Sequence, residues 1–185
     1  MEYSHELKIP KERIAVLIGK KGQTKRELEA ATHAQIKIDS KEGDIIISGE
    51  DALTLFSARD ALRAIGRGFN PDVAMQVLKP DYAFEIISLQ DYMRTKNDSG
   101  RLKGRVIGTE GKSRTHIEEI TETNICVYGK TIGIIGRQEH VGIAKKAIEM
   151  LLKGSPHANV YQWLERIRRK MKTAEYLMKQ EENLR

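Results

Sequence analysis

Two short stretches decide how this chain folds: Leu17-Ile18-Gly19-Lys20-Lys21-Gly22 and Val106-Ile107-Gly108-Thr109-Glu110-Gly111. Shifting the chain by 89 positions lays Gly19 on Gly108, and the match continues downstream. Thr24 falls on Ser113, Leu28 on Ile117, Thr32 on Thr121, Ile36 on Ile125 and Ile38 on Val127. Ile45 and Ile46 fall on Ile134 and Ile135, Ala58 on Ala147 and Leu62 on Leu151. A constant offset held over about 45 residues marks a duplicated structural unit rather than a chance motif.

In each copy an apolar helical segment runs into the paired glycines, and a second helix begins directly after them. Leu28 with Ala31, and Ile117 with Ile120, give that helix its buried side. Ile36 with Ile38, and Ile125 with Val127, then alternate as a half-buried strand does. Gly43 marks the first hairpin, Ile45 to Ile47 and Ile132 to Ile135 read as returning strands, and Gly133 makes the second of these less regular. Leu55, Ala58, Leu62 and Ile65 stripe a third helix, as do Ala144, Ala147, Ile148 and Leu151 in the second copy. The fold class is therefore α+β, with helices gathered on one side of a three-stranded sheet in each copy.

The first copy is expected to open with a strand at Leu7 to Ile9, ended by Pro10. The second copy's opening strand is not reached by the same offset. Phe84, Ile86 and Leu89 supply it, leaving Lys96 to Lys103 as a polar insertion. Gly68 to Pro71 ends the first unit, with Asn70 capping a short connecting helix that Pro71 begins. The expected boundaries are residues 1–70, 71–155 and 156–185. Val73, Val77 and Leu78 in the connection need burial, so the two units should touch. After Ser155-Pro156 the apolar stripe Val160, Leu164, Ile167, Met171, Ala174 and Met178 predicts an amphipathic helical extension, with Arg166, Arg169 and Lys170 on its other side.

Composition narrows the function. The 185 residues carry 32 Lys and Arg against 26 Asp and Glu, a net +6 that favours a polyanionic partner without identifying one. Hydrophobic residues, 39% of the chain, fall in short groups and form no membrane-length run, so no membrane partner is expected. Met1 to Pro10 includes His5, Glu6 and Lys8 and does not resemble a secretion signal, which makes the cytoplasm the expected location. Cys126 is the one cysteine, so an internal disulfide and a cysteine-built zinc site are both excluded. The five histidines are dispersed, and neither a metal pattern nor a catalytic triad emerges; no cofactor, no metal and no catalytic residue is expected. Gly129-Lys130-Thr131 looks like the end of an ATP-binding loop, but Asn124 stands where that motif needs glycine.

The glycine loops are the candidate site. Gly19-Lys20-Lys21-Gly22 joins two helices, where side-chain-free positions permit close approach of a nucleic-acid backbone and the next helix points its free amides at phosphate. Lys20 and Lys21 add positive charge, with Lys25 and Arg26 on the helix that follows. Such contacts position RNA without selecting bases. Base reading falls to the aliphatic surface beside the loop, made by Ile36 and Ile38 in the first copy and by Val106, Ile107, Ile125 and Val127 in the second. Unpaired RNA suits that surface better than a duplex, because its bases are not committed to pairing. In the second loop, Gly108-Thr109-Glu110-Gly111, Thr109 brings no charge and Glu110 repels phosphate, so Arg101, Lys103, Arg105, Lys112 and Arg114 are expected to supply the positive field. His116 lies on the helix after this loop, where a surface or packing role is expected ahead of RNA contact.

The repeated Ile-Gly-x-x-Gly segments, set in the order helix, loop, helix, strand, strand, helix, resemble the KH family in its alpha-first form. The resemblance implies two tandem KH modules with three-stranded sheets and a carboxyl-terminal helical extension. Leu102 to Lys112, Val127-Tyr128-Gly129-Lys130-Thr131 and the Val160-Tyr161 segment with its basic helix are similar, more narrowly, to the archaeal Dim-two or Partner-of-Nob ribosome assembly proteins. That resemblance implies single-stranded ribosomal RNA near the immature 3′ end, the immature small ribosomal subunit and a Nob-type endonuclease as partners. It implies an assembly factor that presents or guards RNA and is not itself the nuclease. The alternative is a KH scaffold that mainly mediates protein association in translation or RNA processing.

Overall fold

The computed structural model describes residues 3–183 and contains two copies of one strand-helix-helix-strand-strand-helix unit followed by a long helix. The first comprises β1 (Tyr3–Lys8), α1 (Lys11–Ile18), α2 (Gln23–Thr32), β2 (Gln35–Asp39), β3 (Asp44–Gly49) and α3 (Ala52–Gly66). A short connecting helix, α4 (Pro71–Ala74), follows. The second unit comprises β4 (Tyr82–Ser88), α5 (Asp98–Ile107), α6 (Lys112–Thr121), β5 (Asn124–Tyr128), β6 (Thr131–Arg137) and α7 (Gln138–Leu152). The last helix, α8, spans His157–Asn183. Both sheets are antiparallel, ordered β1-β3-β2 and β4-β6-β5, so the last strand of each copy runs down the middle.

Strand alternation builds the cores. Ile45 and Ile47 on β3 are fully buried beneath Leu17, Leu28, Leu55 and Leu62, whereas Ile46 between them turns outward and is 42% exposed. Ile132 and Ile134 on β6 face Leu102, Val106, Ile117, Ile148 and Leu151 in the same way. Helix ends are closed locally: Asp51 accepts from the amides of Leu53 and Thr54 at the start of α3, and Asn70 caps α4 ahead of Pro71, as its sequence predicts.

The copies differ on the outer sheet face. Ile135, the counterpart of exposed Ile46, is fully buried, because Phe69, Ala74 and Val77 of the first unit and its connection pack over β6. The ring of Phe69 meets Phe84 edge-on at 6.0 Å. A Cβ at Gly133 would lie 2.6 Å from the Phe69 ring, which explains the glycine that makes this strand irregular in sequence. Arg13 of α1 donates from Nε and Nη2 to the carbonyls of Ile65 and Phe69, both at 2.8 Å, and so fixes the loop carrying Phe69. The Tyr128 hydroxyl donates to Glu12 across the same seam; that bond and partial burial push the Tyr128 pKa up, while Glu12 is held below the usual carboxylate range. Cys126 is half-buried here, with its thiol pKa raised by burial. Val73 and Leu78 also pack into this junction.

Several sequence boundaries shift. The first strand ends at Lys8 rather than Ile9, and Ile9 is buried beyond it with its amide donating to Gly43 O at 3.0 Å. Leu89 is buried in a tight 3-10 turn after β4, not in the strand. The stretch read as a polar insertion from Lys96 to Lys103 is mostly the first turns of α5, which starts at Asp98. Asp98 accepts from the amides of Arg94 and Thr95, a local bond that turns the approach to the helix. Val160 and Leu164 of α8 are fully buried against the second unit, so this half of the extension is integral to its core. Ile167 and Met171 are half-buried and Ala174 is exposed; the side chain of Met178 lies outside the described residues.

Gly133→Ala is expected to lower stability by about 1–3 kcal/mol through overpacking against Phe69. Adding Phe69→Leu should recover part of the loss. Urea unfolding of the single and double variants measures both; an unchanged midpoint for Gly133→Ala would mean that the seam is not closely packed.

Candidate nucleic-acid interface

The two glycine loops share one backbone conformation. Gly19 has φ 74° and ψ 176°, and Gly108 has φ 75° and ψ 175°, a combination open essentially to glycine alone. Space adds to the requirement, since a Cβ at Gly19 would sit 2.8 Å from Thr24 Cβ and one at Gly108 would sit 2.6 Å from Ser113 Cβ. Lys21 and Glu110 follow in the left-handed region at φ 52° and 55°. The chain thereby reverses between α1 and α2, and between α5 and α6, within a single tight turn. Neither α2 nor α6 has a side-chain cap, which leaves first-turn amides facing the loop for a phosphate oxygen. Lys20 and Lys21 are exposed, with no carboxylate within 4.0 Å among the described residues.

Each copy keeps aliphatic side chains partly accessible at the ends of its elements. Ile18 at the end of α1 and Ile38 at the end of β2 are half-buried; Ile107 and Val127 occupy the same places in the second copy. Ile36 and Ile125, assigned to the base-contacting surface from sequence, are only 1% and 4% exposed, and Val106 is fully buried. These three belong to the cores, because the inward face of a strand or helix is accessible only at its end. A bond that the sequence reading passed over joins helix to strand: Glu29 accepts from Ile36 N at 2.9 Å, and Glu118 accepts from Ile125 N at 2.7 Å. Since β2 and β5 are edge strands, each carboxylate occupies an amide that the sheet leaves unpaired. Lys25 lies 3.6 Å from Glu29, and Arg114 lies 3.7 Å from Glu118. The signal was present in the repeat, where both the base and the acid recur at the constant offset.

Charge is distributed unequally. In the first copy Lys20, Lys21 and Arg26 all stand exposed around the loop. In the second, Thr109 is exposed and uncharged, Lys112 pairs with Glu110 at 3.1 Å and Arg101 with Asp98 at 3.4 Å. Arg105 has a structural role that its sequence assignment does not include. Its Nε donates to Leu151 O at 2.8 Å and its Nη2 to Ser155 O at 2.6 Å, so the guanidinium holds the turn between α7 and α8 while the residue lines the cleft beside Gly108 and Thr109. His157 Nε2 lies 2.7 Å from Arg105 O, completing a clasp that sets α8 beside the second loop. His116 packs on this helix, its ring centroid 4.5 Å from that of Tyr161.

Comparison with known proteins agrees with this geometry. Residues 4–65 match the KH domain family model, and residues 83–169 match a model described as a eukaryotic type KH domain, type I. The second match runs into α8. A KH domain-containing protein of Methanocaldococcus jannaschii is 49% identical over 174 residues, covering 92% of this chain and 76% of that protein. The RNA-binding protein pno1 of Dictyostelium discoideum is 30% identical, covering 86% of this chain and 70% of that protein. The Dim2p chain in the crystal structure of an a/eIF2alpha-aDim2p-rRNA complex from Pyrococcus horikoshii is 46% identical with a TM-score of 0.86, covering 91% of this chain and 96% of that one.

Gly108→Ala is expected to destabilise the protein by roughly 1–3 kcal/mol from backbone strain alone, with the Ser113 clash added. Gly111→Ala should cost less, since nothing lies within 4 Å of a Cβ there. Chemical denaturation of the two variants compares them; equal losses would show that the crowding at Gly108 is relieved elsewhere.

Proposed function

We propose that this chain, which belongs to the Dim2p and Pno1 family of tandem KH proteins, binds single-stranded ribosomal RNA during maturation of the small ribosomal subunit. The observation that carries the reading is the duplicated loop: two uncapped helix starts behind matching glycine turns, each beside an accessible aliphatic strip. The turn holds the sugar-phosphate backbone, and Ile18 with Ile38, or Ile107 with Val127, receives the bases. A duplex offers no free base faces to these strips. The family binds RNA and is not a family of enzymes, so its members act on the precursor by holding it. The family's presence in pre-rRNA-processing proteins of fungi supports the placement in ribosome assembly.

The finer part of the proposal is that the protein presents or protects the immature 3′ region for a Nob-type endonuclease, in the cytoplasm. The resemblance of the second module and its basic helix to Partner-of-Nob proteins supports it. Leu53 and Phe56 on α3, 81% and 51% exposed, favour an additional protein-contact role for the first module. Co-purification with the endonuclease and with immature small subunits tests the association; absence from both would point to another KH function.

Binding of a short unpaired RNA is expected to exceed that of its paired counterpart at equal salt. Changing Lys20 and Lys21 together to Asp should weaken binding across many sequences while leaving the fold intact, because both side chains are exposed. Losing two phosphate contacts from a single strand should lower the magnitude of the log-affinity slope against log salt by about 1.4. A salt series on the folded double variant reads this out, and an unchanged affinity and slope would remove the first loop from the RNA path.

A further inference from the structure

The second loop has a wall that the first lacks. Helix α8, clasped by Arg105 and His157, closes a cleft of about 560 Å³ whose lining includes Gly108, Lys112, Ser113, His157 and Tyr161. A second cleft of about 500 Å³ continues along α8, lined by Tyr161, Gln162, Glu165, Arg166 and Arg169. Tyr161 belongs to both and forms the ridge between them. Neither cleft is lined by Ile107 or Val127.

Three features of this path point to a nucleotide ligand. Ser113 is 2% exposed and lines the first cleft, and its Oγ is a buried hydroxyl with no hydrogen-bond partner. The Tyr161 ring is half-buried and meets His116 and His157 at interplanar angles of 67° and 66°, so neither histidine stacks on it face to face. Arg166 and Arg169 are exposed beyond it and have no carboxylate within 4.0 Å among the described residues, while Glu165 is held by Arg168 at 3.9 Å. An unpaired hydroxyl, an aromatic ledge and two free guanidinium groups in sequence along one surface match the alternation of phosphate and base in a single strand.

We infer that the second module holds more RNA than its loop and aliphatic strip: the strand leaving the glycine loop crosses onto α8, where the next base stacks on Tyr161 and the following phosphates meet Arg166 and Arg169. This rests on the RNA-binding reading above and adds a subsite to it. The path also accounts for the weak charge of the second loop itself, since Lys112 there is paired with Glu110 and the free positive charge lies two turns into α8.

The test uses the full chain and nested single-stranded oligoribonucleotides from the small-subunit rRNA 3′ end, lengthened from about four to about ten nucleotides on either side of the shortest one that binds. Wild-type affinity should rise as nucleotides are added on one side. In Tyr161→Ala that increment should fall by roughly tenfold, the loss of one base–aromatic stack, with binding of the shortest oligonucleotide unchanged. Tyr161→Phe should keep the increment, which separates stacking from a fold defect. Changing Arg166 and Arg169 to Gln should reduce the salt dependence for the long oligonucleotide only. An increment that survives Tyr161→Ala, or no increment in the wild type, overturns the subsite while leaving the reading of the loop and strip intact. Failure of every oligonucleotide to bind overturns both, and loss of endonuclease association without loss of RNA affinity assigns the face to protein instead.

Discussion

The bend at Gly19 and Gly108 is the constraint around which each module is arranged. The backbone there takes an extended ψ at positive φ, and the residue five positions on, Thr24 or Ser113, fills the space where a side chain would be. With no Cβ, the helix before the loop approaches the helix after it closely enough for both to share one core, Leu17 with Leu28 and Val106 with Ile117. The same reversal aims the uncapped amides of α2 and α6 outward beside the accessible ends of β2 and β5. The packing of the two helices and the direction of the free amides thus follow from one turn.

Duplication supplied two such turns, but the copies use their sheets differently. The outer face of the first sheet carries the exposed Ile46, whereas the equivalent Ile135 is sealed by Phe69 and the connection. Gly133 makes that closure possible by leaving room for the Phe69 ring, and Arg13 holds the Phe69 loop from the other side. The modules are joined through one unit's helical end and the other's sheet back, which leaves both glycine loops outside the seam.

The order of elements was legible because hydrophobic periodicity changes from helical to alternating spacing at the same offset in each copy. The loops were legible because glycine is the residue their dihedral angles demand. What escaped the sequence was orientation and partnership. Ile36 and Ile38 share one strand face, but only the position nearer the strand end is accessible, a distinction that periodicity does not carry. Arg105 reads as one more cation near a loop, and nothing local tells that its donors reach carbonyls at Leu151 and Ser155, some fifty residues on. The start of α5 was hidden by its polar first turns, which lack the apolar stripe that announces a helix.

The departures from symmetry are concentrated around the second loop, and they are connected. Replacing the Lys20-Lys21 pair by Thr109-Glu110 removes charge from the turn, yet the backbone angles at Gly19 and Gly108, and at Lys21 and Glu110, agree within a few degrees, so the turn persists without its lysines. Arg105 anchors the chain as it leaves α7 and thereby delivers α8 to the loop's flank. The helix is not an appendage: Val160 and Leu164 bury themselves completely in the second core, and the polar face between them carries Tyr161 and the arginines past the glycine turn. Positive charge in the first module is concentrated at the turn, on the exposed Lys20, Lys21 and Arg26. In the second it is spread along a helix whose position depends on folding of the whole module. Two loops built on the same backbone thus differ in where their exposed positive charge lies: at the turn in the first module, and along α8 in the second.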